Sequence, residues 1–258
     1  MKKDKKIMAV GILGHGEIGK AIGRICREAG FKIFIRELDY DQFKDEKIDI
    51  SHVNIPEKSN NKFINTVVKT MKEFKPVLTV INSSVTLGTT RKIYEKTGLA
   101  IVHSPVIGVH PHLYESIKRY FKKVVGPVNK KSLNLAIKHF KKLRIRFAVY
   151  DSPEDSEAAK LLDLVYYAWN IVFCKWMKET ATANKLNFDQ IYGRQNQIYN
   201  QGYSKLRPNV VRPILQPVPG AIGGHCTIPD TVIFDKYFPN RFTKFILKEN
   251  ERYKKEKK

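Results

Sequence analysis

The chain has 258 residues, of which 42% are hydrophobic and 28% charged, a composition typical of a globular protein with a sizeable core. Its three cysteines are too few for a disulfide framework, which indicates a reducing, cytoplasmic compartment. Neither a signal peptide nor a membrane span is predicted, because the longest apolar run, Leu161 to Met177, is interrupted by polar residues.

The net charge is strongly basic, since 47 Lys and Arg against 25 Asp and Glu give +22 at pH 7. Such a field attracts phosphates, whether in a nucleotide cofactor, a nucleotide sugar or nucleic acid. The lysines are dispersed, however, and no nucleic-acid-binding motif accompanies them. We therefore expect a small anionic ligand and no nucleic acid, and the plainer alternative is a surface that is merely rich in lysine.

Residues 1–150 are predicted to form a Rossmann-type α/β domain, because short apolar strands alternate with amphipathic helices. This alternation is typical of a parallel sheet covered by helices on both faces. The predicted strands are Ile7–Leu13, Lys32–Arg36, Ile48–Asn54, Val77–Asn82, Leu99–His103, Lys123–Gly126 and Arg146–Tyr150. The helices predicted between them are Ile18–Ala29, Asn61–Glu73, Thr89–Lys96 and Lys131–Lys142.

A glycine-rich loop joins the first predicted strand to the first helix. Its G-x-G-x-x-G spacing is typical of dinucleotide binding: the first glycine permits the tight turn, the second admits the pyrophosphate, and the third lets helix and strand pack closely. The N-terminus of the helix then faces the anion. The predicted cofactor contacts in this loop are Gly14, Gly16, Glu17, Ile18 and Gly19.

The cofactor predicted for this loop is NAD. Glu37 follows the second strand, at the position where an acidic side chain accepts the ribose hydroxyls of NAD and disfavours the 2′-phosphate of NADP. The neighbouring Arg36 keeps NADP open as an alternative.

The pattern changes at Asp151, so residues 151–258 are predicted to form a long central helix followed by a small helical region. The run from Ser152 to Asp155 combines an N-cap serine, a proline at the first helical position and an acid three residues after the cap. The central helix is predicted over 153–179 and is apolar on most of its circumference, so we expect it to mediate a homodimer. Further helices are predicted at Phe188–Tyr199 and Phe242–Lys258.

Three further segments carry motifs. Ile81-Asn82-Ser83-Ser84-Val85-Thr86-Leu87-Gly88-Thr89-Thr90 is similar to S-T-V-x-x-G-T-T, Ser156-Glu157-Ala158-Ala159-Lys160 to A-E-L-x-K, and Gly223-Gly224-His225-Cys226-Thr227-Ile228-Pro229-Asp230 to G-G-x-C-x-x-x-D. In this order they resemble the motifs of the UDP-glucose/GDP-mannose dehydrogenase family, which oxidises a nucleotide-sugar alcohol to a carboxylate with two NAD. The Gly-Gly-His-Cys form is similar to that of the N-acetylhexosamine-type branch.

The resemblance implies a two-step oxidation. Cys226 would trap the aldehyde left by the first hydride transfer, and oxidation of the hemithioacetal would give a thioester that water hydrolyses. Lys160 would stabilise the developing alkoxide, Asp230 and Ser84 would hold water or lysine in place, and Ser83 would contact the cofactor. A thiolate in a glycine-rich loop can approach a substrate carbon closely, which suits this chemistry.

Each of these residues also has a plainer interpretation. A lone cysteine is more often a small buried apolar residue, as we expect for Cys26 and Cys174. Lys160 could be solvated or paired with Asp155 or Asp163. No metal site is predicted, because His110-Pro111-His112 is loop-like and nothing in the sequence fixes the geometry of the possible ligands, which are His103, His110, His112, His225 and Cys226.

The sequence departs from the family at several positions. The family's S-P-E is Ser104-Pro105-Val106 here, the asparagine four residues after Lys160 is Leu164, and Lys175-Trp176 stands in place of Asn-Glu. The sequence ends soon after Cys226, so the family's third, nucleotide-sugar-binding domain is expected to be absent. Anionic substrate could instead meet a group of arginines, Arg194, Arg207 and Arg212.

Two further functions therefore stay open beside a dehydrogenase of sugars or nucleotide sugars. One is a single-hydride dehydrogenase of the β-hydroxyacid type, in which Cys226 would take no part. The other is a catalytically weakened dinucleotide-binding or scaffold protein, which the missing acid at Val106 favours.

Overall fold

The computed structural model describes residues 8–44, 46–223 and 226–255. The chain divides into two compact units, Met1–Lys160 and Leu161–Lys258. The division falls inside the longest helix, so the first two turns of this helix belong to the first unit. The predicted boundary, between residues 150 and 151, lies just before the helix begins.

The first unit is built on a seven-stranded sheet with the order β2-β1-β3-β4-β5-β6-β7. The predicted Rossmann-type sheet is confirmed for all seven strands. They are β1 (Ala9–Leu13), β2 (Lys32–Arg36), β3 (Ile50–Val53), β4 (Leu78–Ile81), β5 (Ile101–His103), β6 (Lys123–Pro127) and β7 (Phe147–Val149).

The direction of the last two strands differs from the predicted all-parallel sheet. Strands β1 to β5 are parallel, but β6 pairs antiparallel with β5 and parallel with β7. The segment between β5 and β6 contains only the short helix α4 (Leu113–Glu115) and a π-helical turn (Ser116–Tyr120). Because the chain makes no crossover over the sheet there, it enters β6 at the edge where it left β5.

Helices cover both faces of this sheet. They are α1 (Glu17–Glu28), α2 (Asn60–Phe74), α3 (Thr89–Thr97) and α5 (Lys130–Leu143). Adjacent residues of β1 point to opposite faces: Ile12 belongs to the core cluster that contains Ile22 of α1 and Phe140 of α5, whereas Leu13 belongs to the cluster that contains Val67 of α2. The first unit is therefore a doubly wound α/β sheet.

The long helix α6 (Pro153–Ala183) begins with the predicted cap. The Ser152 hydroxyl oxygen accepts the backbone N–H of Asp155 at 3.0 Å and donates to the Asp155 carboxylate at 2.7 Å. This reciprocal contact satisfies a free donor of the first turn and fixes the start of the helix.

The second unit consists of the rest of α6 and shorter helices. A π-helical turn (Asp189–Arg194) continues into α7 (Gln195–Leu206), and a 3-10 turn (Pro208–Val210), α8 (Thr227–Tyr237) and α9 (Arg241–Lys255) follow. One core cluster joins Val165, Ala168 and Val172 of α6 to Ile222 and Ile246. Among the described helices, none combines the length and the apolar character needed to cross a membrane.

Helix α8 was not predicted from the sequence. Its apolar residues are distributed around the helix axis rather than along one face, so the sequence lacks the helical periodicity that reveals an amphipathic helix.

Candidate functional site

The glycine loop has the geometry that its spacing predicted. Gly14 has a φ of +90°, which favours glycine, and a Cβ on Gly19 would lie 2.0 Å from the carbonyl oxygen of Gly14. By contrast, a Cβ on Gly16 would meet no atom within 4 Å. The first and third glycines are thus required by the fold of the loop, while Gly16 faces open space at the N-terminus of α1.

Glu37 lies beside this loop, because its carboxylate accepts the backbone N–H of His15. The adjacent Arg36 is turned to other partners. Its guanidinium forms ion pairs with Asp41 and with Glu73, both at 3.0 Å. At the end of β2, Glu37 is therefore the side chain that a ligand in the loop would meet, whereas Arg36 is held in its ion pairs with the two carboxylates.

The segment that follows β5 reaches the start of α1. His110, in the segment that follows β5, contacts the carboxylate of Glu17 through its Nδ1 atom. The contact places an imidazole next to the predicted cofactor contact Glu17, although both side chains are partly exposed.

The turn from Ser83 to Thr90 is held by partly buried hydrogen bonds. The Ser83 hydroxyl donates to the Ile55 carbonyl at 2.6 Å, and Ser84 beside it is half-buried. Glu57 accepts the backbone N–H of Thr86 at 2.6 Å. The turn that carries both predicted serines is therefore fixed against the segment that follows β3.

The structure brings together two of the motif segments, because Glu157 of α6 binds the end of this same turn. Its carboxylate accepts the backbone N–H of Gly88 at 2.6 Å and both the N–H and the hydroxyl of Thr90, at 2.9 and 2.6 Å. Burial raises the pKa of Glu157 to about 7, although the hydrogen bonds from Thr90 and Gly88 oppose the shift. The carboxylate thus supplies the free donors at the N-terminus of α3 with an acceptor.

A buried polar network lies at the carboxyl ends of β3, β4 and β5. Lys123 donates to Asn82, whose side-chain amide lies 3.1 Å from Nδ1 of His52 and 3.0 Å from Oδ1 of Asn54. Sequence reasoning missed these residues. The available signal was a pair of polar residues, Ser51 and His52, inside a short strand of a sheet that is buried on both faces.

His103 extends this polar region to the start of α6. Its Nε2 atom lies 3.1 Å from the Ser83 carbonyl, and its Nδ1 lies 2.8 Å from the Ser156 hydroxyl. Because a carbonyl can only accept, Nε2 carries the hydrogen and Nδ1 accepts from Ser156. Burial lowers the pKa of His103 to about 3, so the imidazole is neutral at pH 7.

Lys160 is half-buried in the part of α6 that belongs to the first unit. Its positive charge lowers the pKa of both Lys123 and His103, which places it near the same strand ends. Val106, at the position of the family's acid, is buried in the apolar core instead. Asp155, one of the two carboxylates considered as partners for Lys160, binds Ser152.

Among the described residues, one group of side chains has the composition of a metal site, and it is not the group considered from the sequence. Cys26, His52 and His139 are buried and place one ligand atom each within 4.8 Å of the others. The two Nε2 atoms of the histidines lie 2.9 Å apart, in direct hydrogen-bonding contact. Burial raises the pKa of the Cys26 thiol to about 12, which fits the expected small apolar role.

Cys226 and Asp230 lie in the second unit. Cys226 is partly exposed and directly precedes α8, and the backbone N–H of Asp230 donates to its carbonyl at 2.9 Å. The Asp230 side chain is buried in the first turn of α8. Gly224 and His225 of the same motif lie outside the described residues.

Lys175 binds the proline-rich segment that leads to this cysteine. Its Nζ donates to the carbonyls of Val218 and of Gly220, the latter at 2.7 Å. Further along, the N–H of Ile222 donates to Oδ1 of Asn250 at 2.9 Å. The sequence indicated Lys175 only as a departure from the family, whereas the structure places it as an anchor of the loop.

The three arginines considered for an anionic substrate are exposed in the second unit. Arg212 is held most firmly, with its guanidinium 4.1 Å from the ring centre of Tyr199 and its backbone bound on both sides by Asn200. This stacking on an aromatic ring explains the position of the Arg212 side chain, so no bound anion is needed to explain it.

Comparison with known proteins places this fold among dehydrogenases. No protein-family model and no curated protein matches the sequence. UDP-D-ManNAc dehydrogenase from Pyrococcus horikoshii matches in structure with a TM-score of 0.76 at 16% identity, over 95% of this chain and 69% of that one. UDP-glucose dehydrogenase from Pyrobaculum islandicum gives 0.74 at 15% identity, over 98% and 70%.

A different dehydrogenase is nearly as similar. 3-Hydroxyisobutyrate dehydrogenase from Mycobacterium tuberculosis gives a TM-score of 0.71 at 12% identity, over 96% of this chain and 94% of that one. The chain thus has the fold shared by nucleotide-sugar and hydroxyacid dehydrogenases. The resemblance to nucleotide-sugar dehydrogenases that the motifs predicted is confirmed at the level of the fold.

Proposed function

We propose that this chain is an NAD-dependent dehydrogenase that oxidises the CH–OH group of a sugar or a nucleotide sugar. The observation that carries the proposal is the glycine loop, with open space over Gly16, the N-terminus of α1 behind it and Glu37 beside it. These residues would hold the pyrophosphate and the adenosine ribose of the dinucleotide. The engagement of Arg36 by two carboxylates supports NAD over NADP.

The first oxidation would take place near the polar residues at the carboxyl ends of β3, β4 and β5. Bound NAD would supply the hydride acceptor. Lys160 would stabilise the alkoxide oxygen through its ammonium while water takes up the hydroxyl proton, and Ser84 would hold that water or the lysine. Ser83, fixed by its bond to Ile55, would contact the cofactor.

A second oxidation to the carboxylate would require Cys226 and a second molecule of NAD. The Cys226 thiolate would add to the aldehyde carbon, and the hemithioacetal alkoxide so formed would pass its hydride to the second NAD and become a thioester. Water would then cleave the thioester, releasing the carboxylate and the thiol. The position of Cys226 immediately before α8 supports this role, because a helix N-terminus stabilises a thiolate. Asp230, one turn later, would orient the water.

One observation favours a second candidate, a single-hydride dehydrogenase of the β-hydroxyacid type. The likeness to 3-hydroxyisobutyrate dehydrogenase extends over 94% of that protein, against 69% of UDP-D-ManNAc dehydrogenase. In this reaction Lys160 would keep its role and Cys226 would have none.

The two candidates are distinguished by counting reduced cofactor. The protein is incubated with NAD and a panel of nucleotide sugars, sugars and 3-hydroxy acids, and NADH fluorescence is calibrated against the substrate consumed. Two NADH per molecule support the thioester route, and one supports the β-hydroxyacid type. A protein that binds NADH and oxidises none of these compounds would instead fit the weakened dinucleotide-binding or scaffold role.

We also propose a cytoplasmic homodimer that forms through α6. The support is a set of large apolar side chains on this helix that are exposed in the single chain, where burial would be favourable. They are Leu162, Tyr166, Tyr167, Phe173 and Trp176.

A further inference from the structure

Lys123, the first residue of β6, is a buried lysine to which the proposed reaction assigns no task. It is 2% exposed. Its Nζ donates to Oδ1 of Asn82 at 2.9 Å and to the Ser104 carbonyl at 2.6 Å, with the Pro105 carbonyl at 3.4 Å. All three acceptors are neutral, so these bonds only partly offset the cost of burying an ammonium. Burial, together with the charge of Lys160, lowers the pKa of Lys123 to about 7.

The acceptors of Lys123 belong to two neighbouring strand ends, since Asn82 follows β4 and the two carbonyls follow β5. A lysine ammonium has only donors, so it holds the oxygen of the Asn82 amide and turns the Nδ2 group the other way. That group reaches Nδ1 of His52 and Oδ1 of Asn54, at the end of β3. One ammonium and one amide therefore join the carboxyl ends of three consecutive strands.

The order of the strands indicates which part of a dinucleotide these ends would meet. Glu37 follows β2, the glycine loop follows β1, and β3, β4 and β5 come next across the sheet. A dinucleotide with its adenosine ribose at Glu37 and its pyrophosphate at the loop extends toward β4 and β5. Its nicotinamide half would then meet the turn at Ser83, directly after Asn82.

We propose that Lys123 is a positioning residue for the nicotinamide half of the cofactor, because it ties Asn82 to the end of β5 and so places the turn that follows. The proposal rests on the proposed binding of NAD. Ser83 is held in addition by its bond to Ile55 and by the contact of His103 with its carbonyl, so Asn82 and Ser83 together fix the start of this turn. Lys123 acts here through Asn82 and touches no substrate.

The test compares two ligands that differ in the nicotinamide. NADH and ADP-ribose share the adenosine ribose and the pyrophosphate, and only NADH carries the ring. Both are titrated by calorimetry into the wild type, into Lys123→Met and into Lys122→Met, which removes the exposed lysine next to it. We expect Lys123→Met to weaken NADH at least tenfold and ADP-ribose less than twofold, and Lys122→Met to change neither.

Other results would overturn the proposal. Equal weakening of both ligands would show a general loosening of the fold, and unchanged affinities would show that Lys123 has no effect on the site. A wild type that binds neither NADH nor ADP-ribose would refute the proposed function itself. This result differs from the other two, in which the wild type binds both ligands. If Lys123→Met does not fold, Lys123→Gln replaces it, and failure of both to fold would assign the lysine a structural role alone.

Discussion

The carboxylate of Glu157 accepts hydrogen bonds from both the backbone N–H and the hydroxyl of Thr90, at 2.9 and 2.6 Å. These two residues are 67 positions apart and join the start of α3 to the start of α6. Glu157 is fully buried, so its charged form is costly in free energy. Each hydrogen-bond donor that faces the carboxylate lowers this cost.

Removing the hydroxyl of Thr90 should therefore destabilise the first unit. We expect Thr90→Val to lower the free energy of unfolding by about 1–3 kcal/mol, because it leaves a buried carboxylate with one donor fewer. Thr90→Ser, which keeps the hydroxyl, is the control and should cost less. Urea denaturation followed by circular dichroism measures both, and equal losses would contradict the role of this bond.

The two glycines of the loop should respond to substitution in opposite ways. Gly16→Val should lower stability only slightly, because its side chain meets no atom within 4 Å and valine is merely a poorer N-cap than glycine, and it should abolish NADH binding by filling the place of the pyrophosphate. Gly19→Ala should destabilise the fold, because its Cβ would collide with the carbonyl of Gly14. Thermal melting and NADH titration of both variants separate the effects. Retained NADH binding in a folded Gly16→Val would contradict the assignment.

Stability should fall in acid because buried histidines, among them His103 and His139, stay neutral in the folded chain. Burial lowers the pKa of His103 and of His139 from 6.5 to about 3. Between these values the unfolded chain binds protons that the folded chain does not, so the free energy of unfolding decreases as the pH falls from 6.5 toward 3. Each histidine contributes up to about 1.4 kcal/mol per pH unit. Denaturation at several pH values should show that stability depends less steeply on pH in His103→Gln than in the wild type, and an equal dependence in the two proteins would contradict the prediction.

Two substitutions separate the proposed reactions. Cys226→Ser should abolish formation of the carboxylate while the first hydride transfer survives, because a serine alkoxide forms poorly at neutral pH. Lys160→Ala should slow both oxidations by about two to three powers of ten, since it removes the charge that stabilises the alkoxide. Stopped-flow measurement of NADH formation tests both. Full activity of Cys226→Ser with one NADH per substrate would replace the thioester route by the β-hydroxyacid type.

The homodimer is tested on the exposed apolar face of α6. Trp176 is 52% exposed in the single chain, so Trp176→Glu should place a charge in the interface and shift the protein toward monomer. Light scattering at micromolar concentration measures the mass. A monomeric wild type would refute the dimer, and Lys178→Glu at a nearby solvent-facing position controls for the change in charge.

The sequence was sufficient for those parts of the protein that depend on neighbouring residues. The seven strands, the cap at Ser152 and the glycine loop are all local, because apolar alternation, capping side chains and the φ of Gly14 act within a few residues. For the same reason, the tight turn at Gly14 and the close packing at Gly19 could be predicted from the spacing of the glycines, whereas the contact of Gly16 with a pyrophosphate stays a prediction.

Only the tertiary structure decided which polar side chains meet at the end of the sheet. Lys123 opens a strand and would be read as solvated, yet it is buried against Asn82, 41 positions earlier. The reversal of β6, the pairing of His52 with His139 and the contact of Glu157 with Thr90 are likewise set by packing between distant segments. Which polar groups are buried, and which partners they find, depends on where strands and helices pack together. The pattern of apolar and polar residues along a short segment does not contain this information.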